Sequence, residues 1–352
     1  MSEAAAHRRF NPLRGEWVLV SPHRARRPWQ GRVEAQAAQP PRYDSSCYLC
    51  PGNARANGAR NPLYATTFAF DNDFPALLPA AIDDAPAGSP LLRSAPERGI
   101  CRVVCFSPRH DLTVSQMDPA AIRGVVDAWI GECAALAQVP WASYAAVFEN
   151  RGPMMGASNP HPHCQIWTTE HVPDEPARER ASLAKYHAEH GSCLLCDYAR
   201  AELADATRVV CANDRFVAIV PFWAVWPFET IVIARQHVAT LGDLDSAGRD
   251  ALAAILRQLT TRYDNLFETP FPYSMGFHQA LRPGDGAHDH LHAHFYPPLL
   301  RSATLRKYIV GFELLASPQR DLTPEAAAER LQTVDDVHYS ERDRPTASGA
   351  SR

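Results

Sequence analysis

The sequence predicts an α+β fold made of two duplicated halves, each with antiparallel sheet packed against helices. Three observations carry that expectation. A Cys-x-x-Cys pair stands early in each half, Cys47 with Cys50 and Cys193 with Cys196. An isolated histidine follows, His110 or His237, and a helix start stands eight residues beyond it in both halves, at Asp118 and Asp245. A His-x-His triplet closes each unit, His161-Pro162-His163 and His292-Ala293-His294. This repeat divides the chain into halves at 1–173 and 174–340, followed by a polar tail, 341–352, expected to be disordered.

The elements follow in chain order. Proline-rich stretches at 37–63 and 75–96 read as long loops. Residues 101–106 (CRVVCF) and 230–233 (TIVI) are β-rich runs that end just before the isolated histidines. Asp118-Pro119 is an N-cap with proline at the first helical position. Ile122, Val125, Val126, Trp129, Cys133 and Leu136 then recur at helical spacing and form one buried stripe. In the second half Asp245 caps, and Leu252, Ile255, Leu256 and Leu259 make the matching stripe. Strand-like runs follow both helices, at 144–148 and 273–277. Residues 174–190 are charged and alanine-rich and read as a solvated helix joining the halves.

Composition narrows the function. The chain has 352 residues, a net charge of -4, 46% hydrophobic and 21% charged residues, which excludes a disordered or fibrous protein. No apolar run approaches the ~20 residues of a membrane span, and the N-terminus lacks the apolar region of a secretory signal. The net charge and the lack of a basic stripe argue against nucleic-acid binding. Nine cysteines, an odd number with no secretion signal, argue against a disulfide framework and for a cytoplasmic chain with reduced thiols.

Cys47, Cys50, His110 and His161 make a tetrahedral zinc set drawn from separate segments. With all four positions filled by protein, such a site is structural. His163 lies two residues from His161, so on a strand both rings share a face. Two readings of His163 stand side by side. A neutral imidazole is a competent nucleophile toward phosphorus, and it is equally a structural histidine. Its neighbours Asn150, Gly156, Ser158 and Gln165 suit phosphate oxygens.

The segment 148–167 (FENRGPMMGASNPHPHCQIW) resembles the active-site motif of the galactose-1-phosphate uridylyltransferase family, in the histidine-triad superfamily. Segments 9–31, 68–77, 222–229, 262–276 and 291–311 resemble that family too, so the likeness runs from about Arg9 to about Tyr339. The resemblance implies histidine-triad-like halves and a ping-pong reaction. His163 takes UMP from UDP-glucose, releases glucose 1-phosphate, and passes UMP to galactose 1-phosphate to give UDP-galactose. Gln165 and Ser158 join His163 as catalytic residues in this reading, with Gly156 and Ser158 at the phosphates. Asn72, Asp73 and Asn150 match nucleotide contacts. Arg24 and Arg27 match residues that reach substrate phosphates across a homodimer interface. Lys307, Tyr308, Phe312, Glu313 and Gln319 match the sugar-phosphate end. The family often has Phe at the position of Tyr308 and Tyr at that of Phe312. A sugar-nucleotide phosphorylase or nucleotide hydrolase of the same superfamily is the alternative.

Beyond the first zinc, the resemblance implies a second zinc or iron ion at Glu179, His278, His292 and His294. The repeat offers a rival set, Cys193, Cys196, His237 and His292, with His292 common to both. His288 and His290 are expected to be solvated loop histidines.

Overall fold

A computed structural model of the chain describes residues 5–26, 40–80, 89, 91–282 and 284–342. The chain opens with a hairpin of β1 (His7–Asn11) and β2 (Glu16–Val20), paired from His7↔Val20 to Asn11↔Glu16. Gly15 closes the turn at φ 67°, which favours glycine, and its N–H donates to Asn11 O at 2.9 Å. Next come β3 (Phe68–Asp71), β4 (Gly99–Cys105), α1 (Pro119–Leu136), β5 (Tyr144–Arg151) and β6 (His163–Thr169). The second half contains α2 (Asp174–His190), α3 (Leu194–Asp205), β7 (Val209–Ala212), β8 (Phe216–Ile219) and β9 (Thr230–Ala234). It continues with α4 (Ser246–Phe267), β10 (Tyr273–His278) and β11 (His292–Tyr296). Last are α5 (Phe312–Leu315), β12 (Gln319–Arg320), α6 (Pro324–Gln332) and α7 (Tyr339–Arg342).

Strands β3 to β11 form one nine-stranded sheet in the order β3-β4-β6-β5-β10-β11-β9-β8-β7, with every pair antiparallel. The duplicated halves thus share a sheet, joined where β5 pairs with β10. Fusion leaves neither inner strand as an edge with unpaired N–H and C=O groups. The order on either side of that seam is mirrored: β5, β6, β4, β3 on one side and β10, β11, β9, β8 on the other.

Helices α1 and α4 cover one face. Their predicted stripes are buried without exception, from Ile122 to Leu136 and from Leu252 to Leu259. Each fully buried aliphatic side chain of this kind contributes about 1.5–3 kcal/mol. Both predicted caps are formed: Asp118 accepts from Ala120 N at 2.8 Å, and Asp245 from Gly248 N at 2.6 Å. The helix over 174–190 is amphipathic rather than fully solvated, because Pro176, Glu179 and Leu183 are buried. Its charge-rich sequence hides three inward positions. Residues 341 and 342 end the short helix α7, and the remainder of the predicted tail lies outside the described residues.

The register corrects the alignment of the two halves. Phe148 pairs with Gln165 on one side and Gly276 on the other, and Gly276 pairs with His294. This row places His294 level with Gln165, and because β5 and β10 run antiparallel about the Phe148–Gly276 pair, a half-turn about that pair carries His163 onto His292. Each of those, His163 and His292, is the first residue of its strand. The counterpart of His161-Pro162-His163 is therefore His290-Leu291-His292, not His292-Ala293-His294. The stretch from His288 to His294 carries histidine at every second position, so several triplets fit its pattern and only strand register distinguishes them.

Beneath the seam the halves are clamped by Asp264 of α4. Arg151 of β5 donates to both its carboxylate oxygens, each at 2.9 Å, Ser115 Oγ donates at 2.5 Å, and Phe271 N donates at 2.7 Å. Burial alone would raise the Asp264 carboxyl, but the Arg151 guanidinium, together with hydrogen bonds from His338 and Phe271 N, holds it below its usual 3.8. A depressed carboxyl contributes stability above its unfolded pKa that is lost as pH falls through its folded value. Arg151→Ala should therefore cost about 3–5 kcal/mol in urea melts at neutral pH, because it strands a buried carboxylate. Asp264→Asn should lose stability too, and its stability should vary less with pH below about pH 4 than that of the native chain. An Arg151→Ala midpoint equal to that of the native chain would refute the clamp.

Candidate active site and metal centres

The face of the sheet opposite α1 and α4 carries the chemistry. Alternation along β6 puts His163, Gln165 and Trp167 on that face, while Cys164 and Ile166 enter the helical core. His163 is half-buried, and its Nδ1 lies 2.8 Å from the His161 carbonyl oxygen. A carbonyl can only accept, so Nδ1 carries the proton and Nε2 keeps its lone pair. Among the described residues no hydrogen bond takes Nε2. Burial lowers the His163 pKa from its usual 6.5, which keeps the ring neutral. The sequence named the residue; the structure supplies the tautomer.

His161 is held on all sides. Its N–H donates to Asn159 Oδ1 at 2.9 Å, its Nε2 to Ser107 O at 2.9 Å, and its Nδ1 faces Cys50 Sγ at 3.6 Å. His110 Nδ1 also stands 3.6 Å from Cys50 Sγ, and the ligand atoms of Cys47, Cys50, His110 and His161 all lie within 4.8 Å of one another. Zinc bonds of about 2.3 Å to sulfur and 2.0 Å to nitrogen, at tetrahedral angles, give S···N separations of about 3.5 Å. The four residues therefore fit zinc as they stand. Leu49 N and Asn159 Nδ2 each donate to Cys47 Sγ at 3.3 Å, the kind of N–H contact that favours a thiolate. Without a cation burial raises the Cys50 thiol to about 11 and lowers His161 to about 4.

Gln165 is oriented by two donors to its oxygen, Trp167 Nε1 at 2.9 Å and Asn72 Nδ2 at 3.4 Å. The indole N–H can only donate, so the Gln165 amide nitrogen is left to face an anion. Trp167 was not singled out from sequence, although the alternation in HPHCQIW places it beside Gln165. Asn150 accepts from Ser274 Oγ at 2.6 Å across the seam. Gly156 sits at φ 79° at the end of a single turn, Pro153–Met155, and Ser158 is exposed just beyond it. Asp73 lies 3.7 Å from Arg55.

The remaining predicted contacts form a separate group. Lys307 pairs with Glu313. Arg24 lies 3.8 Å from Asp321, which also accepts from the Gln319 amide at 2.5 Å. Tyr308 and Phe312 are about half exposed, at 53% and 54%. Arg27 lies outside the described residues. Among the described residues no hydrogen bond joins this group to His163. A cavity of about 230 Å³ lies on its side of the molecule, lined by Glu179, His294, Trp223, Trp226, Tyr296 and Glu313, and does not open at His163.

In the second half the Glu179 set is brought together as expected, while the Cys193, Cys196 and His237 set forms without His292, so the two are not rivals. Glu179 of α2 meets His278 Nδ1 at 2.6 Å, His292 Nε2 at 3.2 Å and His294 Nε2 at 3.4 Å. Both ring nitrogens of His294 are buried without a hydrogen-bond partner, and a metal at this set would satisfy Nε2, the one that faces Glu179. The Cys193, Cys196 and His237 set takes His290 as its fourth member, not His292. His290 is 1% exposed, so it is no solvated loop residue.

The N-terminal domain model described as galactose-1-phosphate uridyl transferase matches residues 1–173, and its C-terminal counterpart matches 179–343. A rat (Rattus norvegicus) galactose-1-phosphate uridylyltransferase is 52% identical, covering 98% of this chain and 92% of its own length. The Haemophilus influenzae enzyme of the same name is 50% identical over 96% of each chain. A solved uridylyltransferase structure superposes with a TM-score of 0.74 at 28% identity, covering 93% of this chain and 97% of that one.

Two substitutions test the metal sets. Cys50→Ser should remove one metal equivalent per chain and lower the melting temperature by about 3 °C, as loss of ~2 kcal/mol does in a chain of this size. Glu179→Ala should remove a different equivalent and leave the first in place. Elemental analysis of each purified variant decides, and unchanged content in either refutes that set.

Proposed function

This chain belongs to the galactose-1-phosphate uridylyltransferase family, and from that membership we propose that His163 is the nucleophile of a two-step UMP transfer. The chain is a nucleotidyltransferase, with UDP-glucose and galactose 1-phosphate as substrates. His163 Nε2 attacks the α-phosphorus of UDP-glucose. A P–N bond forms, the bond from phosphorus to the bridging oxygen breaks, and its electron pair leaves with glucose 1-phosphate. The Nδ1 proton stays in place, and the His161 carbonyl stabilises the charge that the ring gains. A phosphate oxygen of galactose 1-phosphate then attacks the same phosphorus and returns the electron pair to Nε2. Covalent catalysis here splits one difficult displacement into two.

The single observation that supports this reading is the half-buried His163, whose Nδ1 donates to the His161 carbonyl, beside the free amide of Gln165. The Gln165 amide, Ser158 and the backbone at Gly156 bind the transferred phosphoryl group, where charge develops. Asn72, Asp73 and Asn150 hold the nucleotide. Zinc at the Cys47 set and zinc or iron at the Glu179 set hold the protein in shape. We further infer a cytoplasmic homodimer in which Arg24, Arg27 and the 307–319 segment serve the partner's His163. The exposed Tyr308, Val310, Phe312, Leu314 and Leu315 support a surface covered by a second copy. No helix of the described residues is long and apolar enough to cross a membrane.

Incubation with UDP-glucose labelled in the uridylyl group, without acceptor, should leave acid-labile label on the protein. His163→Ala should retain none and lose at least about 10⁴-fold in turnover, since no neighbour replaces the nucleophile. Label found only as free UMP would point to hydrolysis instead, and full activity in His163→Ala would sink the proposal. Trp167→Phe removes the donor that orients Gln165. It should lower kcat about 10- to 100-fold with little change in KM, the pattern of a contact made in the transition state. An unchanged kcat would remove Trp167 from this role.

A further inference from the structure

We propose that Cys193, Cys196, His237 and His290 form a third metal site, a zinc-type centre that shares no ligand with either of the others. The ligand atoms of the four residues lie within 4.8 Å of one another. Cys193 Sγ and Cys196 Sγ stand 3.3 Å and 3.5 Å from His290 Nδ1, and Cys196 Sγ stands 3.9 Å from His237 Nδ1. These separations bracket the ~3.5 Å S···N spacing of tetrahedral zinc, and an S2N2 donor set selects zinc over hard cations.

The internal symmetry supports the same conclusion. Cys47, Cys50, His110 and His161 have Cys193, Cys196, His237 and His290 as their counterparts across the β5–β10 seam. The outer contact is repeated as well: His161 Nε2 donates to Ser107 O at 2.9 Å, and His290 Nε2 to Ala234 O at 2.7 Å. In each set the second histidine turns Nδ1 toward the thiols and gives its other nitrogen to a backbone carbonyl, the arrangement of a metal-bound imidazole. The third site is less enclosed. Cys193 and Cys196 are half-buried and His237 is exposed, whereas all four members of the first set are buried.

The site acts on its neighbour through one residue. The His290 carbonyl accepts from His292 Nδ1 at 2.6 Å, which leaves His292 Nε2 facing Glu179. Arg180, next to Glu179 on α2, lies 2.7 Å from Asp289, next to His290. A metal that fixes His290 therefore orients a ligand of the Glu179 set, although the two share none.

The test uses the full chain as purified. Cys193→Ser with Cys196→Ser should lose about one metal equivalent while keeping the equivalents sensitive to Cys50→Ser and Glu179→Ala. In the cobalt-loaded protein the thiolate charge-transfer band should fall by about half, since two of four ligating thiolates remain. Unchanged metal content, or a Cys193–Cys196 disulfide in the mass of the purified chain, would overturn the site. Should the double variant fail to fold, His237→Gln changes only an exposed ring. It should release one zinc equivalent to a chromogenic chelator faster than the native chain, and superimposable release curves would overturn the site. In the same variant the metal of the Glu179 set should also exchange about 10-fold faster, the lower range for loss of an outer contact. An unchanged rate would overturn the coupling.

Discussion

The structure depends on one backbone carbonyl, that of His161. It accepts the Nδ1 proton of His163, and so decides which ring nitrogen of His163 is free, the one on which the proposed transfer depends. The carbonyl stays in place because the side chain and N–H of the same residue are fixed by Cys50, Ser107 and Asn159. A metal at Cys47, Cys50, His110 and His161 would therefore act on His163 without touching it, by holding one carbonyl still: it would supply rigidity, and a tautomer is a matter of rigidity.

The duplication has kept this device twice and used it for different ends. His292 is oriented by the His290 carbonyl as His163 is by that of His161. In the first half the freed Nε2 has no hydrogen-bond partner among the described residues. In the second it faces Glu179, a residue supplied by α2, a helix with no counterpart among the described residues of the first half. His294 replaces Gln165 in the row across the seam, so an amide with a free N–H on one side is an imidazole beside Glu179 on the other. Divergence acted on the side chains at the strand ends while the backbone pattern beneath them stayed the same.

Much of this was legible in the sequence. The buried stripes of α1 and α4 follow from helical periodicity alone, and both N-caps from single aspartates. The first metal set follows from spacing. What escaped depends on register or on long-range packing. The run of histidines from 288 to 294 fits more than one triplet, so spacing alone does not place His290, and only strand pairing fixes the frame. The burial of Glu179 is invisible in a helix whose composition is mostly charged. The Asp264–Arg151 clamp joins residues far apart in the chain, and no local pattern marks either partner. Trp167 orients Gln165 through a side-chain contact that alternation permits but does not require.

The pairing of β12 with β2 has a consequence for how the protein is made. Leu19 and Val20 find their parallel partners at Gln319 and Arg320. During synthesis the opening hairpin leaves the ribosome with one edge open and waits for nearly the whole chain before that edge is covered. An open strand edge is a template for wrong pairing, and domains emerging in order fold as units where they can. Here the first half can close its metal cluster and its part of the sheet early, but the three-stranded sheet is completed only when the late segment arrives. The interval is one in which a nascent chain of this kind is exposed to misassembly, and its length is set by translation rather than by the folding of either half.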